Sequence, residues 1–353
     1  MFNRARLDLA RKRRRLTWKR LAELSGVSPV TLSRIANGSQ HPDDATVGKL
    51  ATALGYPRAF LSADEPELIE ADTASFRSLS SMAAKDRDAA LSAGTIGFEL
   101  VQWIEQRFDL PDPDILDLEP GQKPAAAARM LRQYWALGEQ PISNMIALLE
   151  FKGIRVFSLS EHTKKVDAFS IWKDGKPFIF LNTFKSAERT RFDAAHELGH
   201  LIMHRHAAPV GREAEIEANQ FASAFLMPEA DVISHIPYVT SIDDLISAKH
   251  RWGVSVVALA YRLHKIGVLS EWLYIQANRS FRSEEPAPRA PEKSVIWEKV
   301  LRELWRDGYP RSRVASELLV PEEEIESLIF GLVYSPAEDR PERSVPFSAY
   351  SRK

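Results

Sequence analysis

The sequence predicts a mainly α protein with one small β-sheet, an α+β fold. Segments of helical periodicity, each with a recognisable cap or stop, occupy most of the chain. One region breaks that pattern. Ile154–Leu159, Ala168–Trp172 and Phe178–Asn182 are short β-branched and aromatic runs, and Asp174-Gly175 is a hairpin signal. The length, 353 residues, suggests two or three domains at roughly 100–200 residues each.

Composition narrows the class. Hydrophobic residues make up 44% and charged residues 27%, which excludes a wholly disordered chain. Cysteine is absent, so any metal site must use His, Asp or Glu. The basic N-terminus is not followed by an apolar core of signal-peptide type, and no transmembrane run is present. A cytoplasmic protein with no membrane partner is expected.

Residues 1–62 read as a bundle of short helices. Leu7–Arg14 form the first. Thr17 caps a second, Trp18–Leu24, and Gly26 supplies a tight turn. Ser28 caps a third helix with Pro29 at its first position, and Asn37-Gly38 end it. Ala45–Leu54 close the bundle. Helix, glycine turn and a short helix opening on Ser-Pro form a helix-turn-helix pattern. The third helix then offers Ser28, Val30, Thr31, Ser33 and Arg34 to a major groove of double-stranded DNA. The first twenty residues hold Arg4, Arg6, Arg11, Lys12, Arg13, Arg14, Arg15, Lys19 and Arg20 against Asp8. Such local basicity suits a phosphate backbone. A solvated basic helix face is the plainer alternative.

Residues 63–124 read as a connecting segment, helical around Ala83–Phe108 and broken by a Pro/Asp-rich stretch, Leu110–Pro124. Residues 125–280 form the central unit. Helical Ala125–Leu137 comes first, then a helix opening after Pro141 and ending at Gly153. The three short runs follow, Phe178–Asn182 being read as an edge strand. A long helix starts near Ser186. Ser283–Lys293, rich in Pro, Glu and Arg, reads as a linker. Residues 294–334 form a small C-terminal helical unit, either a second reader or a dimerisation element, and 335–353 a disordered tail.

The long helix carries RFDAAHELGHLIMH, from Arg191. His196 and His200, four apart, lie on one helix face and can clasp one divalent ion. Glu197 between them suits a general base. Gly199 costs about 1 kcal/mol inside a helix, which a close neighbour would explain. A third ligand is expected from EAEIEANQFASAFLMP, from Glu213. Glu215 is favoured, with Asn219 one turn on, backing a ligating imidazole. Glu217, about 200° around the helix from Glu215, is the alternative. His204 and His206 could each be an extra ligand, but are read as partly exposed histidines past the site. Tyr238, Tyr261 and His264 are candidates for a second oxyanion donor.

Two resemblances follow from these residues. LAELSGVSPVTLSRIANGSQHPDDATVGKLATALGY resembles the XRE (Cro/repressor-like) family over about 60 residues. Thr17-Trp18 stand where that family often has a phosphate-touching Gln. RFDAAHELGHLIMH with EIEANQFASAFLMP, and VDAFSIW, PFIFLN and SAERTRF upstream, resembles the ImmA/IrrE metallo-endopeptidases over about residues 125–275. That resemblance implies a minimal gluzincin-like core holding Zn2+ on His196, His200 and Glu215, with Glu197 as base. It further implies cleavage of a helix-turn-helix repressor in stress, phage or mobile-element control. A homodimer follows from half-site logic. A non-proteolytic regulator or antitoxin, its metal domain sensing or binding a partner, is the competing reading.

Overall fold

The computed structural model describes residues 1–70, 83–159, 168–205, 211–281 and 285–333. The expected disordered tail and His206 lie outside them. Four helices open the chain: α1 (Arg4–Arg13), α2 (Trp18–Ser25), α3 (Pro29–Asn37) and α4 (Asp44–Leu54), followed by a 3-10 turn at Arg58–Ser62. Their ends are written in the sequence. Asn3, Thr17, Ser28 and Asp43 each accept a backbone N–H of the first helical turn. Gly26 and Gly38, at φ 66° and 82°, close α2 and α3 in the left-handed region. Leu7, Leu21, Leu32, Ile35 and Leu50 fill the space between.

The next helix, α5 (Ala84–Glu105), is buried along most of its 22 residues. One side meets α1, where Arg6 pairs with Glu99 at 2.7 Å and Arg15 with Asp86 at 2.8 Å. The other side meets the sheet. Gly94 and Gly97 lie where any Cβ would press on the rings of Phe169 and Phe180. The segment expected to connect two domains thus supplies a helix packed on both.

After α6 (Pro124–Tyr134) comes α7 (Met145–Phe151), then β1 (Arg155–Ser158), β2 (Phe169–Lys173) and β3 (Lys176–Leu181). Pro141 precedes α7 instead of opening it. Asn144 is the cap, its side chain accepting from Ala147 N. Asp174 and Gly175 take φ of 50° and 73°, the left-handed pair that a two-residue hairpin requires. The strand order is β1-β3-β2, with β1 parallel and β2 antiparallel to β3. The expectation of an edge strand at Phe178–Asn182 is therefore wrong. β3 is central, and its apolar run fits burial on both faces. On one face Phe157, Phe169 and Phe180 stack toward α5. The alternate residues Ser170 and Ile179 face the other way.

That second face receives α8 (Ala187–Met203), which packs on β2 and β3 and against α9 (Arg212–Leu226). Four short helices follow: α10 (Glu229–His235), α11 (Ile242–Trp252), α12 (Val256–Lys265) and α13 (Glu271–Phe281). The described part of the Pro-rich stretch, from Glu285 to Lys293, has no helix or strand, as a linker would, yet it is pinned. Glu285 pairs with Lys249 at 2.9 Å, and Glu292 pairs with the fully buried Arg191 of α8. Glu292 also accepts Met145 N at the start of α7.

The last helices are α14 (Ile296–Arg306), α15 (Arg311–Glu317) and α16 (Glu322–Val333). Trp297 of α14 donates its indole N–H to Val156 O of β1 at 2.6 Å. α16 lies along β1 with Gly331 against Ser158 and Thr183. Its Ile325, Leu328, Ile329 and Leu332 are buried. No helix among the described residues is long and apolar enough to cross a membrane.

Candidate metal centre and DNA-reading helix

Ser186 caps α8 by accepting Arg189 N. Ala194, Ala195, Leu198, Leu201 and Ile202 bury the helix, so its histidines project from a fixed element. α9 crosses it at Gly199, where a Cβ would stand 3.0 Å from Phe221 and 3.3 Å from Ala218 Cα. This close approach accounts for the glycine. It also brings Glu215 across to the histidines.

Glu215 Oε2 is 3.3 Å from His196 Nε2, and Oε1 is 3.4 Å from His200 Nε2. The two Nε2 atoms are 3.1 Å apart. Among the described residues, His196, His200 and Glu215 form the group whose donor atoms could share a metal ion. Glu217 is not in it. Its carboxylate is turned to His204 Nε2, 3.1 Å away.

Protons on the imidazoles can be placed from their partners. Asn219 donates its amide N–H to Glu215 O at 2.8 Å, so its Oδ1 faces His196 Nδ1 at 3.2 Å. An amide oxygen only accepts, so Nδ1 carries the hydrogen and Nε2 a lone pair. That lone pair, the Nε2 of His200 and the Glu215 carboxylate then converge on one point. Only a proton or a cation can hold such a set together, and Zn2+ suits two nitrogens and one oxygen. The residues therefore fit the metal.

These groups also set one another's ionisation. Burial opposes ionisation of Glu215, but hydrogen bonds and charge from His196 and His200 outweigh it, bringing its pKa down to about 2. Burial pushes His200 down to about 4 despite Glu215. Burial opposes the charged form of His196 too, but Glu215, Glu197 and Asp193 together raise its pKa above the usual range. Glu197 is 4% exposed. Burial pushes it up to about 7, against the pull of His196 and of the Ser170 hydroxyl. That hydroxyl donates to Glu197 Oε2 at 2.7 Å.

Sequence reasoning missed two residues here. His204, read as partly exposed, is half-buried as a residue, but its side chain is only 5% exposed. Its Nδ1 sits 2.8 Å from His200 Nδ1. The i, i+4 spacing was the available signal. Ser170 could have been found from the alternation of Phe169, Ser170 and Ile171, which turns the hydroxyl away from the aromatic face. The oxyanion candidates do not join the cluster. His264 stacks on Tyr274, with its nitrogens engaged by Leu269 O and Glu271. Tyr261 lies under Lys265, and Tyr238 is largely exposed.

At the other end of the chain, Ser28, Val30, Ser33 and Arg34 are exposed on α3 and Thr31 is half-buried. The Ser28 and Thr31 hydroxyls bond each other at 2.8 Å. The basic run, however, is mostly paired within the protein. Arg6, Arg13 and Arg15 pair with Glu99, Glu324 and Asp86, and Arg11 with Asp8. Arg14 donates to Leu54 O. Its composition alone overstated the charge offered to DNA. Arg4, Lys19, Arg20 and Arg34 remain exposed, Arg20 beside Glu23. Arg4, Lys12, Trp18, Lys19, Ser33 and Asn37 line a cleft beside α3. Trp18, in the place of the usual Gln, lies 4.5 Å beneath the Arg11 guanidinium.

Comparison with known families agrees with both halves. Residues 7–61 match the helix-turn-helix family model, and residues 149–264 match that of the IrrE N-terminal-like domain, a peptidase family. No curated protein matches the chain. The first match spans α1–α4, and the second spans the sheet, α8 and α9. The chain is thus a fusion of an XRE-type helix-turn-helix domain with an ImmA/IrrE-type peptidase-family domain.

Proposed function

We propose that this protein is a cytoplasmic DNA-binding regulator with zinc-dependent endopeptidase activity, acting on a helix-turn-helix repressor. The observation that carries the reading is the convergence of His196, His200 and Glu215 beside a buried acid, Glu197. When bound, zinc supplies Lewis acidity and brings the ionisation of water near neutral pH. His196, His200 and Glu215 would hold it, with Asn219 fixing the His196 ring. Glu197, with its pKa near 7, is matched to accept a proton at working pH and return it to a leaving amine. Ser170 holds that carboxylate in place. Since β3 is central and β1 carries the C-terminal helices, an extended substrate would pair on β2. The helix-turn-helix would bind paired half-sites as a homodimer.

A second reading, a regulator that binds metal without cutting, is favoured by one observation. Glu197 is almost fully enclosed and engaged by Ser170. One comparison separates the two. Metal content and repressor cleavage are measured for the wild type, Glu197→Gln and His200→Ala, each co-expressed with candidate repressors. Endopeptidase function requires that Glu197→Gln keep zinc and lose cleavage while His200→Ala loses both. Cleavage surviving in Glu197→Gln would remove the assigned base. Zinc-loaded wild type that cuts no repressor would favour the sensor.

A further inference from the structure

Resting on the zinc reading above, we propose that His204 and Glu217 form a relay that fixes the tautomer and orientation of His200, as positioning residues for the metal centre. His204 ends α8, one turn beyond His200, and its backbone N–H bonds His200 O at 3.1 Å. The two rings lie 4.9 Å apart between centroids. Both nitrogens of His204 are engaged away from the cluster, Nδ1 with His200 Nδ1 at 2.8 Å and Nε2 with Glu217 at 3.1 Å. It is therefore not placed as a ligand itself.

The direction of the relay follows from its far end. Glu217 as a carboxylate can only accept, so His204 Nε2 carries a hydrogen. In neutral His204 the Nδ1 is then a lone pair, and it accepts from His200 Nδ1–H. That leaves His200 Nε2 bare, facing Glu215 and His196. Without the acceptor, nothing keeps the His200 hydrogen on the distal nitrogen or the ring at that angle. Groups that orient a ligating imidazole in this way typically change metal affinity by about 10–100-fold when removed. α9 thus serves the site from two sides. Glu215 faces the metal cluster, while Glu217, two residues on, holds the ring behind it.

The test uses the full chain, with zinc affinity read by competition against a chromophoric chelator and the visible spectrum of the Co(II)-loaded protein. His204→Leu fills the space without an acceptor. His204→Asn restores an acceptor oxygen near the former Nδ1. Glu217→Ala removes the far end. The expected result is zinc binding weakened about 10–100-fold in His204→Leu, mostly recovered in His204→Asn, and a smaller loss in Glu217→Ala that does not add to that of His204→Leu. The Co(II) bands of His204→Asn should keep the wild-type positions. Wild-type affinity in His204→Leu would overturn the relay while leaving the metal site intact. Equal loss in Leu and Asn variants, with a changed Co(II) spectrum, would make His204 a ligand and also overturn it. Wild-type protein that takes up no zinc would instead sink the metal reading beneath it. Should His204→Leu fail to fold, Glu217→Ala decides: wild-type affinity there, or an equal loss when it is added to His204→Asn, counts against the relay.

Discussion

Arg13 Nε stands 2.7 Å from Glu324 Oε2, joining α1 to α16, the first and last helices among the described residues. Both side chains are buried, and the Tyr56 hydroxyl donates to the other carboxylate oxygen at 2.9 Å. Arg14 approaches the same carboxylate at 3.4 Å. Because α16 also lies along β1, this carboxylate ties the DNA-reading bundle to the peptidase-type sheet. Removing one member of a buried ion pair strands the other, at about 3–5 kcal/mol. Glu324→Ala should therefore lower stability by about that amount. Hydrogen exchange should rise in α1 and α16 together. Exchange changes confined to α16 would show that the pair does not hold the bundle in place.

The sequence could not reveal this use of its basic residues. A row of arginines at the N-terminus reads the same whether it faces a phosphate backbone or a partner 311 positions away. Local features were legible because they depend on near neighbours. The Ser28 and Thr17 caps, the Asp174-Gly175 turn and the histidine pair are of this kind. So was the shared face of Glu215 and Asn219, one turn apart on α9. Strand order was not legible. Phe178–Asn182 has the same composition whether it lies at an edge or between two partners, and only the pairing of β1 decides. The partner of His204 was not legible for a related reason, since Glu217 arrives from another helix.

The division between internal and outward-facing cations should appear in DNA binding. Arg34→Ala should weaken binding by about 1–3 kcal/mol if it reads a base. Lys19→Ala should lower the slope of log affinity against log salt by about one. Arg13→Gln, measured where the protein stays folded, should leave that slope unchanged, because its charge is neutralised within the fold. Fluorescence anisotropy across a salt series gives all three. A slope reduced in Arg13→Gln as much as in Lys19→Ala would restore α1 as a phosphate-contacting strip.

Asp231 gives the fold a defined acid sensitivity. The hydrogen bond from Arg251 lowers its pKa below the usual 3.8, burial opposes this, and the Trp252 indole N–H adds to the lowering. A depressed folded value means the carboxylate stabilises the native state above the unfolded pKa. That contribution fades as pH falls through the folded value. Wild type should exceed Asp231→Asn in stability at pH 7 and at pH 5, and the gap should close below about pH 4. Urea denaturation at several pH values measures it. A gap that stays constant to the lowest pH would show that packing, not ionisation, carries the contribution.

Gly199 links packing to the metal centre, and magnitudes decide the sign of its replacement. Alanine in a helix interior is favoured over glycine by about 1 kcal/mol. Against that, the new Cβ would meet Phe221 at 3.0 Å and Ala218 Cα at 3.3 Å. The ring can turn, but the backbone of α9 cannot yield without moving Glu215. Overpacking of this kind costs about 1–3 kcal/mol, so Gly199→Ala should be neutral to destabilising by about 2 kcal/mol without metal. The larger effect should fall on zinc. Saturating zinc at about 100 times its Kd adds about 2.7 kcal/mol to stability, and parting α8 from α9 should remove most of that gain at the same zinc concentration. Melting temperatures with and without zinc, in wild type and Gly199→Ala, separate the two terms. An undiminished zinc-induced rise in the variant would mean that the spacing of α8 and α9 does not set the metal site.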